Sequence, residues 1–198
     1  MQALRSSTGW NGGWWAGATR CESPNFGPRP PGERPRLVIV HSISLPPGHF
    51  KGRAVERLFT NRLNAGRHAY FEGLRGLHVS AHFFVRRDGE ILQFVGCDER
   101  AWHAGVSSWR GRDNCNDWSL GIELEGLEGG SFTARQYRQL GRLMRELTAH
   151  CPIEEIVGHE HVAPGRKRDP GPGFEWNRLR RRLAGARVRA WPILAPGA

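Results

Sequence analysis

The chain has 198 residues, 38% hydrophobic and 24% charged, which fits one globular domain with a core that needs no crosslinks. No apolar run reaches about 18 residues, which excludes a membrane-spanning helix, and the N-terminal MQALRSSTGWNGGWW lacks the build of a secretory signal, so a cytoplasmic location is expected. The net charge of +10 is written almost wholly in arginine, with lysine only at Lys51 and Lys167; it reads as a solvated face or as attraction for a small anionic substrate rather than as a nucleic-acid surface.

Residues 1–35, rich in Gly, Pro and Trp and without a sustained period, predict an irregular arm packed on the body; residues 36–190 form the domain and 191–198 a tail. RLVIVHSIS is a continuous apolar, β-branched run and predicts a buried central strand ending near His41. Val55, Leu58, Phe59 and Leu63 then recur at helical spacing. VSAHFFVRR and EILQFV flank Asp88-Gly89, a two-residue hairpin signal.

DWSLGIELEGL alternates, with Trp118, Leu120, Ile122 and Leu124 on one face and Ser119, Gly121, Glu123 and Glu125 on the other. A helix starts at Thr133, where Thr133 and Gln136 make a capping box, and Tyr137, Leu140, Leu143, Met144 and Leu147 form its inner stripe up to Cys151-Pro152. EEIVGHE predicts a strand that delivers His159 to a sheet edge, and a last helix runs from about Glu175 with Leu179, Leu183 and Ala186 inward and its arginines, Arg178 to Arg189, in water. Strands interspersed with three helices predict α/β: a single domain with a central mixed sheet flanked by helices. Cys21, Cys97, Cys115 and Cys151 are scattered and are expected as free thiols.

Chemistry concentrates in GHEHVAPGRKRDPGP (158–172), where Pro164, Pro170 and Pro172 disfavour a helix and predict a loop. Of the nine histidines, His49, His68, His78 and His150 read as hydrogen-bonded core residues. His41 ends one strand and His159 another, with His161 two residues on and Asp169 ten residues beyond His159. Imidazoles and a carboxylate in this combination suit catalytic zinc, which takes three N/O ligands and keeps a fourth position open. Either Glu123 or Glu125 could serve as a base, on a face where Ser119 and Gly121 leave a groove, or both could face solvent from an edge strand. Lys167 is a candidate to meet an oxyanion.

HSISLPPG (41–48), VSAHFFVRRDGEILQFV (79–95), RAWHAGVS (100–107), CNDWSLGIELEG (115–126) and GHEHVAPGRKRDPGPGFEW (158–176) together resemble the AmpD-type 1,6-anhydro-N-acetylmuramyl-L-alanine amidases. These are zinc amidases similar in fold to phage-lysozyme-type amidases and peptidoglycan recognition proteins. The resemblance implies a zinc ion held by His41, His159 and Asp169, with Glu123 as general base and Lys167 near the transition state. It sets His161 aside, since that position is usually acidic in the family. Trp102 would line the sugar and peptide cleft, with His103 hydrogen-bonding there or bracing the turn, and Ser42 is a further candidate for substrate contact. His78 and Asn114 stand where the family implies arginines that meet substrate carboxylates; Arg110, Arg112 and Arg166 are candidates to replace them.

The implied activity is hydrolysis of the amide between the lactyl group of 1,6-anhydro-N-acetylmuramic acid and L-alanine, in cytoplasmic recycling of cell-wall fragments. The expected partner is an anhydro-muropeptide, with no nucleic acid and no membrane, and the expected state is a monomer. The alternatives are an exported amidase acting on intact wall and a non-catalytic peptidoglycan-binding module.

Overall fold

Six strands form one mixed sheet: β1 (Thr19–Arg20), β2 (Leu37–Ile43), β3 (Phe83–Val85), β4 (Ile91–Gln93), β5 (Ser119–Glu125) and β6 (Glu155–Gly158), in the spatial order β6-β2-β5-β3-β4-β1. The computed structural model describes residues 9–185. β2 and β5, the two longest strands, lie side by side in the interior of the sheet and are parallel to each other. Both faces of the sheet are covered there, which is why β2 reads as an unbroken apolar run. β3 and β4 make the antiparallel hairpin announced by Asp88-Gly89, with Gly89 at φ 93°.

Register divides the sheet into two faces. Val38 pairs with Leu120 and Val40 with Ile122, and these join the core under α3 (Ala134–His150), whose stripe of Tyr137, Leu140, Leu143, Met144 and Leu147 is buried. Both halves of the Thr133–Gln136 capping box are formed, and Cys151 caps the C-terminus, as the sequence predicts. α5 (Trp176–Arg182) closes the same layer with Trp176, Leu179 and Leu183; Ala186 lies outside the described residues.

The opposite face carries two smaller apolar clusters. α1 (Ala54–Phe59) and α2 (Ala69–Glu72) pack Leu58, Phe59 and Phe71 against Phe84, Leu92 and Phe94. On the other flank Ile39, Ala104, Cys115, Trp118, Val157 and Val162 form the second cluster. His41 and Glu123 sit on this face of the central strands.

Several elements differ from the sequence reading. The arm is not wholly irregular: Thr19–Arg20 adds a strand to the sheet edge, and Phe26–Pro28 pairs with Glu99–Ala101. Besides the three predicted helices there are two four-residue ones, α2 and α4 (His159–Val162). β5 is interior rather than an edge, so neither Glu123 nor Glu125 faces solvent from a sheet margin. Trp118 precedes β5 at the end of a 3₁₀ turn, and packs in a different cluster from Leu120, Ile122 and Leu124. His49, His68 and His78 are exposed rather than in the core, although His68 Nδ1 accepts from the Tyr70 N–H at 3.1 Å, and His150 stacks on Trp10 near the surface; the buried histidines are His41, His82 and His159. The four cysteines are free.

Candidate active site

Three side chains converge above the sheet. His41 is held two residues short of the end of β2. Gly158 ends β6, and the chain turns there into α4, so that His159 is the first residue of a helical turn rather than the tip of a strand. The prolines of the 158–172 stretch limit helix to that single turn without abolishing it. The turn separates His159 from His161, whose Nδ1 accepts from the Gly158 N–H at 2.8 Å and whose ring lies against Trp176, outside the converging group. Asp169 returns on the following loop. Its carbonyl accepts from the Glu160 N–H at 2.9 Å while Glu160 Oε2 accepts from the Gly171 N–H, so the loop is tied down on both sides of Asp169.

His41 Nδ1 and His159 Nδ1 are 2.9 Å apart, and Asp169 Oδ2 lies 3.3 Å from the first and 3.1 Å from the second. A tetrahedral zinc ion with bonds of about 2.0–2.1 Å spaces its ligand atoms about 3.3 Å apart, so the set has the right spread for such an ion. Its chemistry fits too. His159 Nε2 lies 3.1 Å from the Ala104 carbonyl, an acceptor only, so the ring proton sits on Nε2 and Nδ1 offers its lone pair. His41 Nε2 meets His103 Nδ1 at 2.9 Å, again leaving Nδ1 turned to the group. Two buried imidazole lone pairs and a carboxylate oxygen brought together could hold a metal ion.

The electrostatics agree. Burial holds the His41 ring down to a pKa of about 4, with His159 adding to the effect and Asp169 opposing it, so His41 is neutral near pH 7. Burial alone would raise the Asp169 carboxyl, but the His159 and His41 rings, whose Nδ1 atoms lie 3.1 and 3.3 Å from its Oδ2, outweigh it and keep the acid well below its ordinary range. Glu123 is pushed well above the usual carboxylate value, first by burial and then by the charge of Asp169, with Lys167 opposing. Glu123 Oε2 is buried with no hydrogen-bond partner.

A cleft of about 630 Å³ opens over these groups, lined by His41, Glu123, His159, Lys167 and Asp169 together with Ser42, Trp102, His103 and Arg166. Tyr70, Leu74, Leu77 and Leu127 supply apolar wall. Lys167 is exposed at its rim. His78 and Asn114 are exposed and do not line it. Arg110 pairs with Glu155 and Arg112 with Glu33. Arg166 donates to the Ala104 and Val106 carbonyls, bracing the 102–107 loop.

Sequence reasoning missed the supports. Glu160 ties the Asp169 loop, and Asn116 Oδ1 accepts from the backbone N–H groups of His103 and Ala104. The groove read beside Ser119 and Gly121 is filled: a Cβ on Gly121 would lie 2.4 Å from His103 Cγ. A glycine inside a strand signals such a close approach, though not what approaches.

The N-acetylmuramoyl-L-alanine amidase family matches residues 31–172. The chain is 50% identical over 170 residues to the 1,6-anhydro-N-acetylmuramyl-L-alanine amidase AmpD of Citrobacter freundii, covering 85% of this chain and 91% of the relative. A crystal structure of a selenomethionine AmpD derivative matches with a TM-score of 0.84 at 48% identity, over 87% of this chain and 97% of the other. A complex of the E. coli N-acetylmuramyl-L-alanine amidase AmiD with anhydro-N-acetylmuramic acid-L-Ala-D-gamma-Glu-L-Lys matches with a TM-score of 0.57 at 28% identity, over 83% of this chain and 62% of the other.

Proposed function

The chain belongs to the N-acetylmuramoyl-L-alanine amidase family, and from that membership we propose that it is an AmpD-type enzyme. It hydrolyses the amide that joins the lactyl group of 1,6-anhydro-N-acetylmuramic acid to L-alanine, in peptidoglycan recycling. His41, His159 and Asp169 hold a zinc ion. The observation that carries the reading is the convergence of these three side chains beside a buried, unpartnered carboxylate oxygen, in a chain half identical to an AmpD over most of both lengths.

When bound, zinc polarises the scissile carbonyl and brings the pKa of a coordinated water near 7. Glu123 takes a proton from the attacking water on its free carboxylate oxygen and returns it to the departing amine nitrogen; the burial that raises its pKa makes it a stronger base than an exposed carboxylate. Lys167, at the rim, offers its ammonium to the carbonyl oxygen as charge develops there. The apolar wall at Leu74 and Leu77 shields one side of the cleft from water, and Trp102 offers a flat surface to sugar or peptide. His103 lines the cleft, where it can meet substrate, and its ring also meets His41. Ser42 and Arg166 line the cleft, whereas any contact from His78 or Asn114 would have to reach substrate parts that project beyond it. The substrate is a small anionic molecule that the excess of basic residues attracts electrostatically, faster at low salt. A cytoplasmic location and a monomeric state belong to the same proposal.

The test is incubation of zinc-loaded protein with purified anhydro-muropeptide and, separately, with intact sacculi, with mass spectrometry for released peptide. Free peptide from the anhydro-muropeptide is the expected result. Release from sacculi alone would move the enzyme to the intact wall, and no release from either would leave a binding module.

A further inference from the structure

We propose that His103 is a positioning residue for the metal site, holding His41 in the ring tautomer that presents Nδ1 to the cation; the inference rests on the zinc reading above. A cation at the converging group needs His41 Nδ1 bare, which puts the ring proton on Nε2. That N–H is buried, since His41 is 1% exposed. Among the described residues its hydrogen-bond partner is His103 Nδ1, at 2.9 Å. His103 Nδ1 accepts when its own proton is on Nε2, and there Ser119 Oγ, 3.3 Å away, receives it. One line of donors and acceptors, His41 Nε2–H to His103 Nδ1 and His103 Nε2–H to Ser119 Oγ, therefore satisfies the other three ring nitrogens and leaves Nδ1 of His41 free.

The His103 ring is built into place. It stands edge-on to the His41 ring, at 89° with centroids 5.0 Å apart, and packs on the bare backbone of Gly121, where a Cβ would lie 2.4 Å from its Cγ. Its backbone N–H and that of Ala104 both donate to Asn116 Oδ1, at 3.2 and 2.8 Å. The next residue does the same service for the second imidazole, because the Ala104 carbonyl accepts from His159 Nε2. The dipeptide His103-Ala104 thus sets the tautomer of both histidine ligands, one through a side chain and one through a carbonyl. Of the two, only the side chain can be altered by substitution.

Zinc affinity, measured by competition with a chromophoric chelator, tests this in the parent, in His103→Leu and in His103→Asn. Leucine fills the space without an acceptor and is expected to weaken zinc binding about 10–100-fold, as loss of a ligand's outer hydrogen bond does elsewhere. Asparagine puts an amide oxygen near the position of Nδ1 and is expected to restore most of the affinity. A leucine variant that binds zinc as the parent does, or an asparagine variant as weak as leucine, overturns the proposal. A second readout needs no variant: long-range ¹H–¹⁵N correlation spectra of the zinc-bound parent should show His41 protonated at Nε2 and bound through Nδ1. Binding through Nε2 would overturn the proposal with the zinc site intact. A parent that takes up no zinc removes the zinc reading and this inference together, and is seen before any variant is compared.

Discussion

Glu123 and His41 stand directly opposite each other in the parallel pairing of β5 with β2, two interior strands of the sheet. Their side chains therefore rise from one face at a separation set by backbone hydrogen bonds, and the proposed base and the proposed ligand keep their spacing without help from a loop. Replacing Glu123 by Ala is expected to leave zinc bound and reduce turnover of anhydro-muropeptide about 10²–10⁴-fold. Steady-state kinetics paired with metal analysis checks both halves; a variant with near-parental rate removes Glu123 from the mechanism.

The same carboxyl costs stability. In the metal-free protein Glu123 keeps its proton well above the ordinary value of 4.5, whereas in the unfolded chain it ionises near that value. The native state thus binds more protons over that interval, and this group's contribution to stability falls as pH rises through it. Glu123→Gln cannot ionise, so its melting temperature relative to the parent is expected to climb between pH 4.5 and pH 7. Melting curves of chelator-treated proteins across that range measure it, and a constant difference would contradict the burial argument.

Glu125, two residues on, has a structural task. Its Oε1 accepts from the Lys51 N–H at 2.7 Å and its Oε2 from the Arg87 N–H at 3.0 Å, with Arg86 at 3.7 Å. Glu125→Ala strands these donors, at a cost of about 1–3 kcal/mol for each one left buried and unpaired. A lowered melting temperature with turnover preserved below the melt is the expected pattern. Loss of turnover at full stability would exchange the roles of the two glutamates.

Asp169→Ala removes the carboxylate from the converging group and leaves the two imidazoles. The variant is expected to emerge from dialysis with zinc well below one equivalent, by elemental analysis. Stoichiometric metal in that protein would show the ligand set to be misassigned.

Gly121→Ala would drive a methyl group into the His103 ring. Overpacking of this kind costs about 1–3 kcal/mol, read as a fall in melting temperature. If the variant melts as the parent does, the ring does not rest on that backbone.

Elements governed by local rules were legible in the chain. The Asp88-Gly89 hairpin, the Thr133–Gln136 cap and the buried stripe of α3 follow from neighbours within a few residues, where backbone preferences and periodicity act directly. The β-branched run at Leu37–Ile43 likewise announced a buried strand. The two short helices were not legible, because one turn carries too little period to register. At α4, proline and glycine argued for loop, while the Gly158–His161 and Glu160–Gly171 hydrogen bonds wind the turn that aims His159.

The sequence by itself determined which residue types were available for the chemistry: two histidines, an aspartate, a glutamate and one of the chain's two lysines, in stretches that resemble one family. It also determined the two strands that carry His41 and Glu123. Only the tertiary structure decided how they meet: that Glu123 falls opposite His41, that His103 fills the space beside Gly121, and that the Ala104 carbonyl receives the His159 ring. Each of these pairs residues brought together by strand register or loop closure across long spans of chain, and periodicity and capping rules reach no further than the element in which they act.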